Sequence, residues 1–412
     1  MVKWLYYAKY YAKNSLNNGG KQIMKKKFTK ILSVVLAVAM ITACFAACSK
    51  KDADKDTSAN TTFKIGSIGP LTGDNALYGL AVQHGAQLAV DEINAAGGIN
   101  GVQIEFKMED DQADTEKSVN AYNSLKDWGM QMLMGTVTST ACIGVAEETY
   151  NDKMFMLTPS GTAVDCVKYD NAFRICYSDP NQGSASADYI AEQGLAKKIF
   201  AIYDSSNAYS AGIYEKFYSQ AQANGLTVES ASFTADSNKD FSVQLQQAKT
   251  FGAELIFLPI YFSEASLILT QASKLGMDVK FFGCDGLDGI LSVQNFDTSL
   301  AEGVMLLTPF AAISEDEKTQ KFVDDYKKAY NNEVPIQFAA DAYDAIYAIK
   351  AAAEKAAIKP TMQVDEICEA MKKSMLEIEL DGLTGKMTWN ADGEPNKEPK
   401  GMIIKNGQYV AM

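Results

Sequence analysis

Residues 63–98 read FKIGSIGPLTGDNALYGLAVQHGAQLAVDEINAAGG. Phe63 to Ile68 has the composition of a strand, and Gly69-Pro70-Leu71-Thr72-Gly73 breaks it. From Tyr78 to Ala95 the apolar residues Val82, Ala86, Ala89 and Ile93 recur at helical spacing, and Gly97-Gly98 ends that helix. Strand, turn and helix in this order open a βαβ unit, and the chain repeats the pattern. Further strands are expected at Val102–Met108, Met132–Met134, Phe155–Leu157, Phe173–Cys176, Ile199–Tyr203, Val228–Phe233, Leu255–Leu258, Lys280–Phe282 and Val304–Leu307, with helices between most of them. One of these helices, Glu264 to Leu275, is expected to be capped by Ser263 and stopped by Gly276. The alternation predicts an α/β fold of parallel sheets covered on both faces. About ten strands in series exceed one doubly wound sheet and point to two doubly wound lobes. Ligands of such sheets sit beyond the carboxyl ends of the strands.

Composition narrows the function. At 412 residues, 47% apolar and 22% charged, the chain has the make-up of a soluble globular protein. His84 is the sole histidine, which excludes multi-histidine metal sites and leaves one imidazole for any nucleophile–base pair. It falls on the first helix and reads as a surface or partly buried residue without a catalytic role. No serine or cysteine stands in a nucleophile-elbow motif, so neither an enzyme nor a cofactor is expected. A net charge of −13 argues against a nucleic-acid partner.

The charge is unevenly spread. Residues 1–48 hold eight lysines and no acid, leaving the remainder at −21. Lys25-Lys26-Lys27-Phe28-Thr29-Lys30 followed by an apolar run from Ile31 has the form of a secretory signal. Cys44 and Cys48 each follow small residues, in the manner of a lipidated cysteine, and Cys48 is preferred because Ser49-Lys50-Lys51-Asp52 after it starts a polar tether. The expected organisation is a leader over 1–23, a lipoprotein signal over 24–48 and a flexible tether over 49–62. The folded body then divides into lobe 1 (63–175 and 310–380) and lobe 2 (176–309 and 381–412). Of the five other cysteines, an odd number, at least one lacks an intramolecular partner; a Cys166–Cys176 bridge and buried free thiols both remain open.

Three loops after expected strands are dense in small hydroxyl residues: Gly69–Gly73, Thr136-Val137-Thr138-Ser139-Thr140 and Thr158-Pro159-Ser160-Gly161-Thr162. Hydroxyls and free N–H groups at strand-to-helix junctions bind anions without a counter-charge, and a carboxylate suits them.

These segments, together with Asp91-Glu92-Ile93-Asn94-Ala95-Ala96-Gly97-Gly98, Phe173-Arg174 with Asp179-Pro180-Asn181-Gln182-Gly183, and Ala342-Tyr343-Asp344-Ala345, resemble the branched-chain amino-acid-binding proteins, the solute receptors of ABC importers. The likeness runs from about Phe63 to the end. It implies a type I periplasmic-binding fold, two lobes joined by three crossovers near Cys176, Pro309 and Asp381, and a ligand between them. By the same resemblance Ser139, Ser160 and Thr162 hold the ligand carboxylate, and Asp285 holds the ammonium where glutamate is more familiar. Tyr209 and Tyr261 are matched to aromatic cleft residues, Tyr78 to the wall beside the ligand side chain, and Phe338 to the same pocket. A monomeric receptor anchored outside the cell is implied, delivering a small amino acid, branched-chain or aliphatic, to permease subunits. Receptors for amides, urea or aromatic carboxylates share the fold, as does a sensor of ligand occupancy. A zwitterion needs a donor-rich end and an acceptor-rich end, since burying either charge unpaired costs several kcal/mol; the hydroxyl loops and Asp285 provide both.

Overall fold

A computed structural model describes residues 61–412. The leader, signal, Cys48 and nearly all of the tether lie outside the described residues. The first lobe is built on a five-stranded sheet in the order β2-β1-β3-β4-β5, all parallel. Its strands are β1 (Phe63–Gly69), β2 (Ile104–Asp110), β3 (Met132–Met134), β4 (Phe155–Thr158) and β5 (Ala172–Arg174). Helices α1 (Ala76–Ala95), α2 (Thr115–Trp128) and α3 (Ser139–Asn151) alternate with them. The chain then passes through Ile175–Ser178 into α4 (Asp179–Glu192) and a second sheet, with β6 (Lys198–Asp204), α5 (Ala208–Ala223), β7 (Thr227–Phe233), α6 (Ser242–Phe251), β8 (Leu255–Leu258), α7 (Phe262–Lys274), β9 (Lys280–Gly283) and β10 (Met305–Leu307). It returns after Leu307 to α8 (Glu317–Ala329), α9 (Gln337–Ala356) and α10 (Val364–Met375), and α8 meets α1 where Tyr326 approaches His84.

Position in the sheet decides each strand's pattern. Central strands β3 (Met-Leu-Met) and β8 (Leu-Ile-Phe-Leu) are buried at every residue, as strands covered on both faces must be. Edge strand β7 keeps most of its side chains exposed or half-buried. Val82, Ala86, Ala89 and Ile93 of α1 are all buried. This helix crosses α9 so closely that a Cβ on Gly85 would lie 2.0 Å from the Ala339 carbonyl oxygen. Gly85→Val is therefore expected to destabilise the protein by about 1–3 kcal/mol in chemical denaturation.

Two sequence expectations are corrected. α7 begins at Phe262 with Tyr261 at its cap and no side-chain capping bond; Ser263 lies inside the helix and donates to Glu264 instead. The third crossover comes later than Asp381. Strands β11 (Leu380–Gly382) and β12 (Gly385–Met387) form a separate hairpin, held to α9 because Leu383 and Thr384 donate backbone N–H groups to the Asp344 carboxylate at 2.8 and 2.9 Å. Trp389 Nε1 then donates to the Arg174 carbonyl at 2.7 Å. Only at β13 (Gly401–Lys405) does the chain rejoin the second sheet, antiparallel to β10, and β14 (Gln408–Ala411) pairs with β13 as the edge strand of that sheet.

The crossovers are tied to one another. Lys397, 5% exposed, donates to Asp341 Oδ1 on α9 at 2.8 Å, to Thr384 Oγ1 at 2.7 Å and to the Ile175 carbonyl at 3.2 Å. Thr308 N donates to the Lys400 carbonyl at 3.0 Å. The cysteines Cys142, Cys166, Cys176, Cys284 and Cys368 are all free and buried. No helix among the described residues is long and apolar enough to cross a membrane.

Candidate functional site

The carboxyl ends of six strands face one another across the two lobes. From the first lobe come Tyr78 on α1, Val137, Thr138 and Ser139 at the start of α3, and Ser160 after β4. From the second come Tyr209 in the first turn of α5, Tyr261 at the start of α7, and Asp285 with Gly286 after β9. Phe338 on α9 completes the wall. Of the residues that the resemblance assigns to the ligand cleft, Thr162 alone is not on the cavity wall; it stands behind Ser139, with the two hydroxyl oxygens 3.3 Å apart.

The first lobe presents donors. Ser139 Oγ accepts from the N–H groups of Thr162 and Ala163 at 3.1 and 3.2 Å, so its own hydrogen is free to point to Thr162 or into the cleft. Thr138 Oγ1 is buried and has no partner among the described residues. The first turn of α3 adds its unsatisfied N–H groups and the positive end of its dipole. Ser160 behaves differently from a side-chain donor, because its hydroxyl is committed to the Val137 carbonyl at 2.8 Å.

The second lobe presents an acceptor. Asp285 is 4% exposed, and its carboxylate accepts the Tyr209 hydroxyl at 2.7 Å. The turn carrying it is fixed from two sides: Asp285 N donates to Gln182 Oε1 at 3.1 Å, and Gln337 Nε2 donates to the Asp285 carbonyl at 2.8 Å. Burial pushes the Asp285 carboxyl up to about 7, with the Tyr209 hydrogen bond pulling the other way. Tyr261 stacks on Tyr209 at 5.0 Å, and Phe338 lies 4.3 Å from Tyr78.

The lobes are closed on each other. The cavity between these groups is about 10 Å³, near the lower limit for one water molecule. The Tyr78 hydroxyl bridges the lobes, donating to the Gly286 carbonyl at 2.5 Å and accepting from Phe262 N at 3.2 Å. Beyond Thr138, Tyr209 and Tyr261 the cleft widens into a vestibule of about 550 Å³. Its mouth is spanned by an ion pair between Asp74 and Lys239, 2.9 Å long and well exposed, hence of little energetic weight.

Thr138, Gln182, Gly286 and Gln337 were not singled out from sequence. Thr138 carried a signal within the hydroxyl-rich loop and Gln182 within the Asp179–Gly183 segment; Gly286 and Gln337 act through backbone or support contacts. His84 lies elsewhere, stacked 3.8 Å from Tyr330. Among the described residues no group of three or more His, Cys, Asp or Glu side chains is placed to hold a metal ion.

Comparison with known proteins bears on the family and the fold. A family described as periplasmic binding protein matches residues 62–404. The Leu/Ile/Val-binding protein BraC3 of Rhizobium johnstonii is 30% identical over 339 residues, covering 82% of this chain and 89% of the relative. The leucine-, isoleucine-, valine-, threonine- and alanine-binding protein of Pseudomonas aeruginosa is 29% identical, covering 82% and 88%. Among solved structures, the branched-chain amino-acid transporter substrate-binding protein LivJ of Streptococcus pneumoniae, in complex with isoleucine, is 32% identical, with a TM-score of 0.76 over 85% of this chain and 98% of that one.

Proposed function

Because the chain belongs to the periplasmic binding protein family, we propose that it is an extracytoplasmic receptor that captures a small α-amino acid, aliphatic or branched-chain, for an ABC importer. One observation carries the reading: a buried carboxylate, Asp285, faces a wall of hydrogen-bond donors across a closable cleft. The ligand ammonium is assigned to Asp285, and the carboxylate to the Ser139 and Thr138 hydroxyls, the Ser160 backbone and the α3 terminus, with Thr162 behind them. Tyr209 orients Asp285; Tyr78, Tyr261 and Phe338 enclose the side chain. The 30% and 32% identical relatives named for leucine, isoleucine and valine support the aliphatic class. Only a closed cleft satisfies both poles, so binding selects closure. With about 10 Å³ between the walls, the ligand enters an opened form and displaces the Tyr78–Gly286 bond. The receptor acts as a monomer, tethered by lipid on Cys48; mass spectrometry of the mature N-terminus is expected to find a diacylglyceryl cysteine.

Isothermal titration of the full chain with the twenty amino acids tests the reading: one ligand per chain, without metal or nucleotide, is expected, and no binding tighter than about 1 mM by any of them would end it. Thr138→Val, which keeps shape and removes the hydroxyl, is expected to weaken binding about 3- to 10-fold, whereas Thr138→Ser retains it.

A further inference from the structure

Two thiols meet beneath the donor wall of the cleft. Cys142 stands on α3, one turn on from Ser139, and Cys166 on the short helical turn Val164–Val167 that follows the 158–162 loop. Both are fully buried, and they are hydrogen-bonded to each other. Cys166 Sγ also lies 3.6 Å from the Ser139 carbonyl oxygen, within reach of its S–H. The loop itself presses on the pair, since a Cβ on Gly161 would lie 2.8 Å from the Cys142 sulfur. Cys284, by contrast, has the Ser186 hydroxyl for its partner, at 3.6 Å.

The surroundings make the two thiols unlike. Burial acts to raise the Cys142 thiol, but hydrogen bonds from Cys166 and Thr136 and the charge of Arg174 outweigh it and hold that thiol below its usual range. Burial, with Cys142 alongside, pushes the Cys166 thiol up. Arg174 is held in place by the same loop: its side chain is fully buried and donates to the Gly161 and Ala163 carbonyls at 2.9 and 3.0 Å. A thiol that favours its thiolate beside a fixed cation, in contact with a second thiol that keeps its proton, is the arrangement that thiol–disulfide exchange uses.

We propose that Cys142 and Cys166 are a disulfide site, closed by exchange with a disulfide compound as the exported chain folds; the supply of that oxidant rests on the extracytoplasmic reading. The Cys142 thiolate attacks one sulfur of the compound, whose S–S bond breaks and releases a thiolate. Cys166 gives its proton to that thiolate, attacks Cys142 Sγ in the mixed disulfide and expels the second thiolate. The two protein thiols are oxidised, and one external disulfide is reduced to two thiols. The new bond ties α3 to the segment that follows β4, the two elements that bring Ser139 and Ser160 to the cleft. With both residues fully buried, the closed bond is shielded from reductants in the folded chain.

The full chain, unfolded in guanidinium chloride with a thiol reductant and then freed of it, is refolded in parallel with oxidised and with reduced glutathione, and the remaining thiols are alkylated. In the oxidised sample the tryptic peptides 127–153 and 154–168 are expected to run as one species, lighter by the hydrogens lost. That sample is also expected to melt at least about 4 °C above the reduced one, because the cross-link restricts the unfolded chain. Cys166→Ala is expected to abolish both the linked species and the rise. Should that variant fold poorly, dithiothreitol separates the cases on the wild-type chain: it is expected to leave the link intact in the folded protein and to break it once guanidinium is added. Absence of the linked species, Cys142 or Cys166 joined to another cysteine instead, or a link without a rise in melting temperature would overturn the proposal. The amino-acid titration stands apart from it: a chain that forms the bond but binds no amino acid keeps this inference and loses the amino-acid reading, and the reverse result does the opposite.

Discussion

Lys397→Met is expected to destabilise the protein by about 3–5 kcal/mol in equilibrium denaturation, the cost of leaving a buried charge without its partner. Lys397 and Asp341 are each 3% exposed at the side chain, and their 2.8 Å pair is the ionic link between the third crossover and α9. Burial pushes the Asp341 carboxyl up while Lys397 opposes that shift, so removing the ammonium leaves an acid that must take up a proton or pull water inward. Lys397→Met combined with Asp341→Leu removes both charges and is expected to recover much of the loss. A single-variant cost below about 1 kcal/mol would show that the pair does not organise the hinge.

Asp285→Asn is expected to weaken amino-acid binding by at least about 30-fold, the lower end for truncating one partner of a buried, hydrogen-bonded charge pair. The pH dependence follows from the raised carboxyl. The ammonium requires ionised Asp285, whose carboxyl stands at about 7 in the unliganded chain. Affinity is therefore full above pH 7 and falls as the pH drops through it, by up to about tenfold per unit, and binding below pH 7 releases a proton. Asp341 and Tyr209 face the same group: Asp341 raises it by repulsion, and Tyr209 lowers it by donating. Titration in buffers of different ionisation enthalpy reads the proton release, and Asp285→Asn is expected to abolish it.

The parallel body of the fold could be read from sequence because each βαβ unit announces itself locally. Met132–Met134 and Leu255–Leu258 are strands with the expected limits, since short apolar runs between breakers have few alternatives. The C-terminal segment was harder. Leu380–Met387 pairs with itself only because Asp344, 36 residues earlier than Leu380, gathers Leu383 and Thr384; no local pattern encodes a long-range carboxylate. Ser263 is not the cap because the helix starts one residue earlier, at Phe262, which leaves Ser263 inside the first turn with its hydroxyl on Glu264.

The lining of the candidate site was legible where chemistry is written in side chains. Asp285, Tyr209, Tyr261 and Tyr78 do converge on one cavity. Hydrogen direction was not legible: Ser139 and Ser160 look alike in sequence, yet Ser139 receives two backbone N–H groups and keeps its hydrogen, whereas Ser160 spends its own on Val137. The interlobe reach of the Tyr78 hydroxyl to Gly286 was equally hidden, since it depends on how the lobes meet.

A co-crystal structure with the tightest-binding amino acid tests the central claim most directly. The expected result is a ligand between the lobes, its ammonium within hydrogen-bond distance of Asp285 and its carboxylate against Ser139 and the start of α3. A ligand bound with its ammonium away from Asp285, or outside the cleft altogether, would contradict the account.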